Sequence, residues 1–357
     1  MGACEKMSQP RIAVADLTTS DKVQSTFLVK YIAEAHGRDG KPYINLVLSD
    51  ATGEIPSRIW SGLADLSQPI EKGQFVTVDG KLNLYQGKKQ FIITQIKPIA
   101  QSELNLADFI STSKLDPDVM FDDLLKIVKE LNEYYIQKLL LNILSDSEIE
   151  HRLKKWQAGK TIHHAYTAGL LEHILSCSRL AMILSQHYQA NQSYVIAGCI
   201  LHDLCKIYEL SDGHTVEYTE EGKLVGHLVK GVELVDRYSY KIADFPHDQK
   251  MHLKHILLSH HGELEYGSPK VPQTKEAYLV HLIDLMDSKM ASVIEVMQKD
   301  TTPGHWSGFV KHLDRIIYKE ELPSYQAPIE AEKTQKISNQ SGELKQSLGQ
   351  LLKDVKL

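Results

Sequence analysis

The chain has 357 residues, 42% of them hydrophobic and 24% charged, an ordinary globular balance that excludes a fibrous or wholly disordered protein. At about 150 residues per domain there is room for two domains and some extra chain. Forty Lys and Arg against 46 Asp and Glu give a net charge of −6, which excludes a histone-like or polybasic membrane binder.

Charge and histidine are unevenly placed. Residues 1–100 carry 12 Lys and Arg against 10 Asp and Glu, whereas the remainder carries 28 against 36. Of 17 histidines only His36 lies in the first hundred residues, and the other 16 follow residue 150. A basic-leaning front and a histidine-dense back predict two different jobs.

Residues 21–97 read as strands and turns. Apolar-rich runs at 26–35, 43–50, 54–60, 73–85 and 88–98 are separated by the clusters HGRDGKP and DATG and by Gln86-Gly87. Five strands with short turns predict a small OB-type β-barrel. Gly80, inside the fourth run, predicts a bend or bulge.

Residues 101–118 are polar, without strand period, and are read as a linker between a barrel domain (1–100) and a second domain (119–322). In MFDDLLKIVKEL, residues Phe121, Leu124, Leu125, Val128 and Leu131 share one helical face. Further helices are expected at about 134–145, 146–157, 163–188, 193–206, 226–240, 247–261 and 274–299, so the second domain is nearly all helix. The tail, 323–357, is rich in Gln, Lys, Glu and Ser and is expected to be mobile. It ends in a short amphipathic helix bearing Leu344, Leu348, Leu351, Leu352 and Val355, suited to docking on its own domain or on a neighbouring subunit.

The first residues, MGACEKMSQPRIAVADL, contain no apolar segment of about 7–15 residues, and no run reaches the roughly 18 that a spanning helix requires. Cys4, Cys177, Cys199 and Cys205 form no CxxC pair. A cytoplasmic protein with free thiols, and no membrane partner, is the expectation.

The chemistry concentrates in GLLEHILS (169–176), CILHDLCK (199–206), LLSHHGE (257–263) and HLIDLMDSKM (281–290). Each sets His or Asp among apolar residues, where a buried carboxylate is costly without a cation or hydrogen bonds. Asp203 lies between His202 and Leu204, and Asp284 between Ile283 and Leu285. Mixed imidazole and carboxylate donors suit divalent transition metals such as Mn²⁺, Fe²⁺, Co²⁺ or Zn²⁺, and Mn²⁺ is taken first. A lone His-Asp pair is more often a hydrogen-bonded structural pair. The combination of His173, the His202-Asp203 doublet and an acid in a later helix is what points to a metal site. Cysteines near these motifs are read as small buried residues rather than ligands.

In that combination the sequence resembles the HD-domain metal-dependent phosphohydrolases, with their H…HD…D ligand pattern. The resemblance implies His173, His202, Asp203 and Asp284 as ligands, with Asp287 the rival for the last place, and a helical HD domain. A barrel ahead of such a domain resembles more narrowly the YhaM family of 3′→5′ exoribonucleases. The segments HHAYTAGLLEHILS, LHDLCK, GHLVKG and LSHHGELEYGSPKVPQTKEAYLVHLIDLMDSKM carry that likeness, which covers roughly residues 20–320. It implies a multidomain α and β chain that hydrolyses single-stranded RNA, with single-stranded DNA as a further candidate, to nucleoside monophosphates, using one or two divalent ions.

His227, His260 and His261 fall where HD enzymes with a second metal carry ligands. The other reading of His260-His261 is a histidine pair at a helix C-terminus beside Gly262. His202, Asp203 and Lys206 are the expected catalytic residues. Lys206, four residues after His202, is expected on the same helical face as a phosphate contact, against the alternative of a solvated lysine. His163-His164 are assigned either to a substrate groove or to local structure. His187, His247, His252, His255, His281, His305 and His312 are read as structural or exposed.

In the barrel, residues 71–97 carry five Lys against one Glu and one Asp, interleaved with Phe75, Tyr85 and Phe91. Basic groups and stacking rings are what an OB fold uses on single strands. Phe75 and Phe91 are expected in the core. Arg58, Trp60, Lys81, Tyr85, Lys88 and Lys89 are the expected nucleic-acid contacts. Two other readings remain open here: an HD phosphohydrolase acting on free or cyclic nucleotides, and a non-catalytic nucleic-acid-binding regulator with a structural metal. A homo-oligomer is compatible with each.

Overall fold

A computed structural model describes residues 11–19, 22–85, 88–159, 164–213, 215–300 and 302–322. The tail, with its expected terminal helix, lies outside the described residues, as do Cys4, His163 and the Gln86-Gly87 turn.

Five strands, β1 (Lys22–His36), β2 (Pro42–Asp50), β3 (Gly53–Ile59), β4 (Phe75–Tyr85) and β5 (Lys88–Pro98), close into a barrel in the order β1-β2-β3-β5-β4. All pairs are antiparallel except β3 with β5, whose parallel register Ser57↔Phe91 and Arg58↔Ile92 shuts the barrel. Period-two alternation turns Phe27, Ile44, Leu46, Leu48, Val76, Val78 and Phe91 into one core. The bend expected at Gly80 is present as a register shift between Asp79 and Gly80. A Cβ there would stand 2.4 Å from the Ile92 carbonyl oxygen, so only glycine permits the close approach.

The connection after the barrel is more tightly packed than its polar composition suggested. Phe109 is buried against Phe75, ring centroids 5.1 Å apart, and with Leu28 forms a small third core joined by Ile99, Leu104, Leu106 and Ile110. Four apolar residues spaced through a polar stretch carry no helical or strand period, which is why the sequence pattern missed them.

The helical part comprises α1 (Pro117–Lys129), α2 (Tyr134–Leu144), α3 (Ser147–Leu153), α4 (Gly169–His187), α5 (Gln192–Leu201), α6 (Lys206–Glu209), α7 (Glu220–Leu224), α8 (Gly226–Ser239), α9 (His247–Ser259) and α10 (Lys275–Lys299). Asp116 caps α1 by accepting from the backbone N–H groups of Asp118 and Val119, with Pro117 pre-set in the first turn. Helix α5 is buried along nearly its whole length between α4, α9 and α10. Gly198 makes that possible, since a Cβ would come within 2.6 Å of Val280 and 2.7 Å of Ile256.

Two expected helices are interrupted, both at the site. The one expected over 163–188 begins only at Gly169, after Ala168 in the left-handed region at φ 63°. A Cβ on Gly169 would fall 2.0 Å from the His164 carbonyl oxygen. The one expected over 193–206 ends at Leu201, and the turn holding His202-Asp203 separates it from α6. No helix among the described residues is long and apolar enough to cross a membrane.

Candidate metal centre

The side chains singled out in the sequence come from five helices and converge. His173 sits in the second turn of α4 and Asp284 in the middle of α10. His202-Asp203 follow the end of α5, His227 opens α8, and His260-His261 follow the end of α9. His173, His202, Asp203 and Asp284 form one group with ligand atoms within 4.8 Å of one another, and His227, His260 and His261 form a second.

Asp203 faces both groups. Its Oδ2 lies 3.7 Å from Nε2 of His173 and 3.5 Å from Nε2 of His202. Its Oδ1 lies 3.5 Å from Nε2 of His227 and 3.8 Å from Nε2 of His260. Asp284 closes the first group, with Oδ1 3.4 Å and 3.7 Å from Nε2 of His173 and His202. Asp287, one turn along α10, is instead on the outer side of His173, its Oδ2 2.7 Å from Nδ1.

Each of the five imidazoles has its outer nitrogen tied. Nδ1 of His202 donates to the Cys199 carbonyl at 2.9 Å, Nδ1 of His260 to the Leu257 carbonyl at 2.9 Å, and Nδ1 of His261 to the Tyr266 carbonyl at 3.1 Å. A carbonyl only accepts, so the proton belongs on Nδ1 and Nε2 keeps a lone pair. His173 and His227 use carboxylates for the same purpose, Asp287 and Glu209 respectively. Outer-nitrogen tethering of this kind accompanies metal-ligating histidines.

The inner nitrogens behave as donors lacking a cation. Nε2 of His227 and of His260 are buried with no hydrogen-bond partner. Nε2 of His173 and of His202 lie 3.1 Å apart, a spacing that needs a proton or an ion between them. Burial and then neighbouring His202 hold the His260 pKa well below the ordinary imidazole value, and burial and His227 lower that of His261. Burial opposes charge on His173 too, but Cys177 and the carboxylates of Asp284 and Asp287 outweigh it and raise its pKa. Burial would raise the Asp203 carboxyl, yet Lys206, His202 and His227 hold it well below the usual range. The donor set therefore fits divalent transition-metal ions.

Lys206 departs from its expected place. Because α5 ends at Leu201, Lys206 does not continue the His202 face; its Nζ is 2.6 Å from Asp203 Oδ2. Burial opposes its charge, but Asp203 more than compensates, so the ammonium is retained. Cys177 Sγ lies 3.7 Å from Nδ1 of His173, and burial pushes its thiol up to about 11, leaving it protonated and no thiolate ligand.

Several functional partners escaped the sequence reading. Glu209 holds His227 through both the ring Nδ1 and the backbone N–H. His164, buried at φ 52°, bridges the Tyr166 hydroxyl at 2.8 Å and Asp287 Oδ2 at 3.2 Å, and Ser176 donates to Asp287 Oδ1. His164 is thus an outer support of the His173 side. The signal available was an acid, Glu209, set near the apolar Ile207 and Leu210, and it does not name a partner.

On the barrel, Arg58 and Asn45 are cross-strand partners on the outer face, joined by a 3.3 Å hydrogen bond. The Arg58 guanidinium lies 4.5 Å from the Tyr43 ring centroid and 5.0 Å from that of Trp60. Trp60 is 63% exposed and Tyr85 61% exposed, and Lys81 and Lys89 are exposed on β4 and β5. The Lys88 side chain lies outside the described residues. Phe75 and Phe91 are in the core, as expected.

Comparison with known proteins agrees with this architecture. The HD domain model matches residues 170–289, and the OB-fold nucleic acid binding domain model matches residues 23–99. The 3'-5' exoribonuclease YhaM of Halalkalibacterium halodurans is 31% identical over 311 residues, 86% of this chain and 95% of that one. Its namesake in Listeria welshimeri is 33% identical over 303 residues, 84% of this chain and 95% of that one. Among solved structures, the second OB-fold domain of replication protein A from Methanococcus maripaludis matches 27% of this chain and all of its own, at 23% identity and a TM-score of 0.22. Similarity over about 85% of the chain, at 31–33% identity, places it in a single family: it belongs to the YhaM family of 3'-5' exoribonucleases.

Proposed function

We propose that this protein is a metal-dependent exonuclease that shortens single-stranded RNA from its 3′ end, releasing nucleoside monophosphates, with single-stranded DNA as a second substrate. The observation that carries the reading is Asp203, whose two oxygens face two separate groups of imidazoles. A carboxylate placed between two donor groups suits a two-ion phosphodiesterase site.

His173, His202, Asp203 and Asp284 would hold the first ion, and His227, His260 and His261, with Asp203, the second, with Mn²⁺ the first choice. Bound ions supply Lewis acidity to the phosphoryl oxygens and lower the pKa of water. The protein does the rest. Carbonyl and carboxylate tethers fix each imidazole in the ligating tautomer. Lys206, held protonated beside Asp203, places a fixed positive charge where the phosphodiester arrives. Arg58, Trp60 and Tyr43 form a cationic and aromatic platform for bases, and Lys81, Lys88, Lys89 and Tyr85 contribute backbone contacts and stacking. The barrel holds the strand while the 3′ end reaches the helical site.

Incubating the full chain with Mn²⁺ and 5′-labelled single-stranded RNA tests this. A ladder shortening from the 3′ end, abolished by chelator and by a blocked 3′ terminus, is expected. Immediate release of a labelled mononucleotide, or turnover that persists without divalent ions, overturns it.

A further inference from the structure

An open cleft beside the two donor groups is lined by His261, Tyr266, His281, Asp284 and Leu285. Tyr266 and Leu285 are exposed and give it apolar walls, while His281 is half-buried. His281 lies one turn before Asp284 on α10 and has no place in the ligand set. Its Nδ1 donates to the His260 carbonyl at 2.8 Å, so its proton is committed there and Nε2 is left as an acceptor. The ring is also locked. Gly262 stands at φ 85°, and a Cβ on it would lie 2.1 Å from His281 Cε1, so the ring packs flat against the glycine backbone.

An acceptor fixed beside the reacting centre is the wrong group for a phosphate oxygen, which also only accepts. It is the right group for a hydroxyl. Next to its last phosphodiester an RNA strand offers sugar hydroxyl donors at the 2′ position and, on the terminal nucleotide, at the 3′ position, and it is the 2′-hydroxyl that distinguishes RNA from DNA. We propose that His281 is a specificity-determining residue, whose Nε2 accepts a hydrogen bond from a ribose 2′-hydroxyl at the 3′ end of the strand. The sugar or its base packs on Tyr266. This rests on the exonuclease reading above and adds the group that tells ribose from deoxyribose.

The test uses the full chain and RNA oligonucleotides carrying a single 2′-deoxy or 2′-fluoro substitution at the last or the penultimate nucleotide. Fluorine keeps the size of the hydroxyl but cannot donate. His281→Asn keeps a donor near the Nδ1 position for the His260 carbonyl and removes Nε2, whereas His281→Gln does the reverse. Wild type should lose about tenfold in kcat/KM at one of the two substituted positions, the loss of one hydrogen bond to a half-buried acceptor. His281→Asn should lose about the same on unmodified RNA, become indifferent to the substitution, and keep its metal content. Affinity measured by fluorescence anisotropy with divalent ions withheld should show the same collapse of the ribose preference. Equal losses on substituted and unsubstituted strands in His281→Asn, or loss of bound metal, would make His281 only a prop for His260 and overturn the assignment. A wild type indifferent to both substitutions overturns it as well. Wild type inert on unmodified RNA is a different failure: it removes the exonuclease reading and this assignment with it.

Discussion

Oδ2 of Asp287 lies 2.7 Å from Nδ1 of His173, on the opposite side of the ring from the nitrogen that faces Asp284. Two aspartates three residues apart on α10 thus grip one histidine from its two sides. Asp287 is a positioning residue, itself held by Ser176 and His164. Asp287→Asn should keep the fold and lower metal affinity about 10–100-fold, the usual consequence of losing an outer partner. Titration calorimetry on the variant checks this, and unchanged affinity would remove Asp287 from the support of the site.

Metal loading should also stabilise the chain. The inner nitrogens of His227 and His260 are buried without partners, so an ion that binds only the folded state adds stability by mass action. At about 100 times the dissociation constant the gain is about 2.7 kcal/mol. Thermal melts with and without Mn²⁺ should separate by several degrees, and Asp203→Ala should abolish the difference while leaving a cooperative transition.

The pH dependence has a definite sign. In the metal-free chain the His173 pKa is raised, so the proton between His173 and His202 persists at neutral pH. That interaction stabilises the metal-free fold fully below the ordinary imidazole pKa and is lost as pH rises through the raised value. The depressed carboxyls of Asp203, Asp284 and Asp287 contribute above the ordinary carboxylate range and lose their contribution as pH falls through their lowered values. An incoming ion must expel the His173 proton, so metal affinity should rise with pH across the neutral range. Calorimetry in buffers of different ionisation enthalpy should show about one proton released per chain.

Barrel substitutions should act on binding and spare the chemistry. Trp60→Ala or Tyr85→Ala should weaken single-strand affinity by about 1–3 kcal/mol, as for the loss of one stacked base. Lys81 and Lys89 changed to Glu should flatten the salt dependence of binding. Hydrolysis of a small nitrophenyl phosphodiester should be unchanged in all of them. Removing the barrel outright is a poorer test, because Phe109 packs on Phe75 and would be uncovered.

Gly198 sets how closely α5 approaches α9 and α10, and hence where His202-Asp203 emerge. Gly198→Ala should destabilise by about 1–3 kcal/mol through overpacking. Denaturant titration checks the figure, and an unchanged midpoint would show that Val280 and Ile256 yield without cost.

The amino-acid sequence determined the elements whose causes are local. Alternation set the five strands, Gly80 announced its bulge, and period-3.6 patterns set the long helices. His and Asp embedded in apolar segments marked the motif residues, because burying them demands compensation wherever the chain goes. Tertiary structure decided what depends on how those segments cross. Asp284 and Asp287 share a helix face, and only the packing of α10 on α4 puts one inside and one outside His173. Glu209 and His227 are 18 residues apart and meet because α6 and α8 pack together. The helix breaks at Leu201 and Gly169 ran against the local pattern, which carries no Pro at either point and has apolar residues on both sides of each. Close tertiary contacts decide both: Gly169 sits against the His164 carbonyl, and the turn after Leu201 brings His202-Asp203 to the other donors.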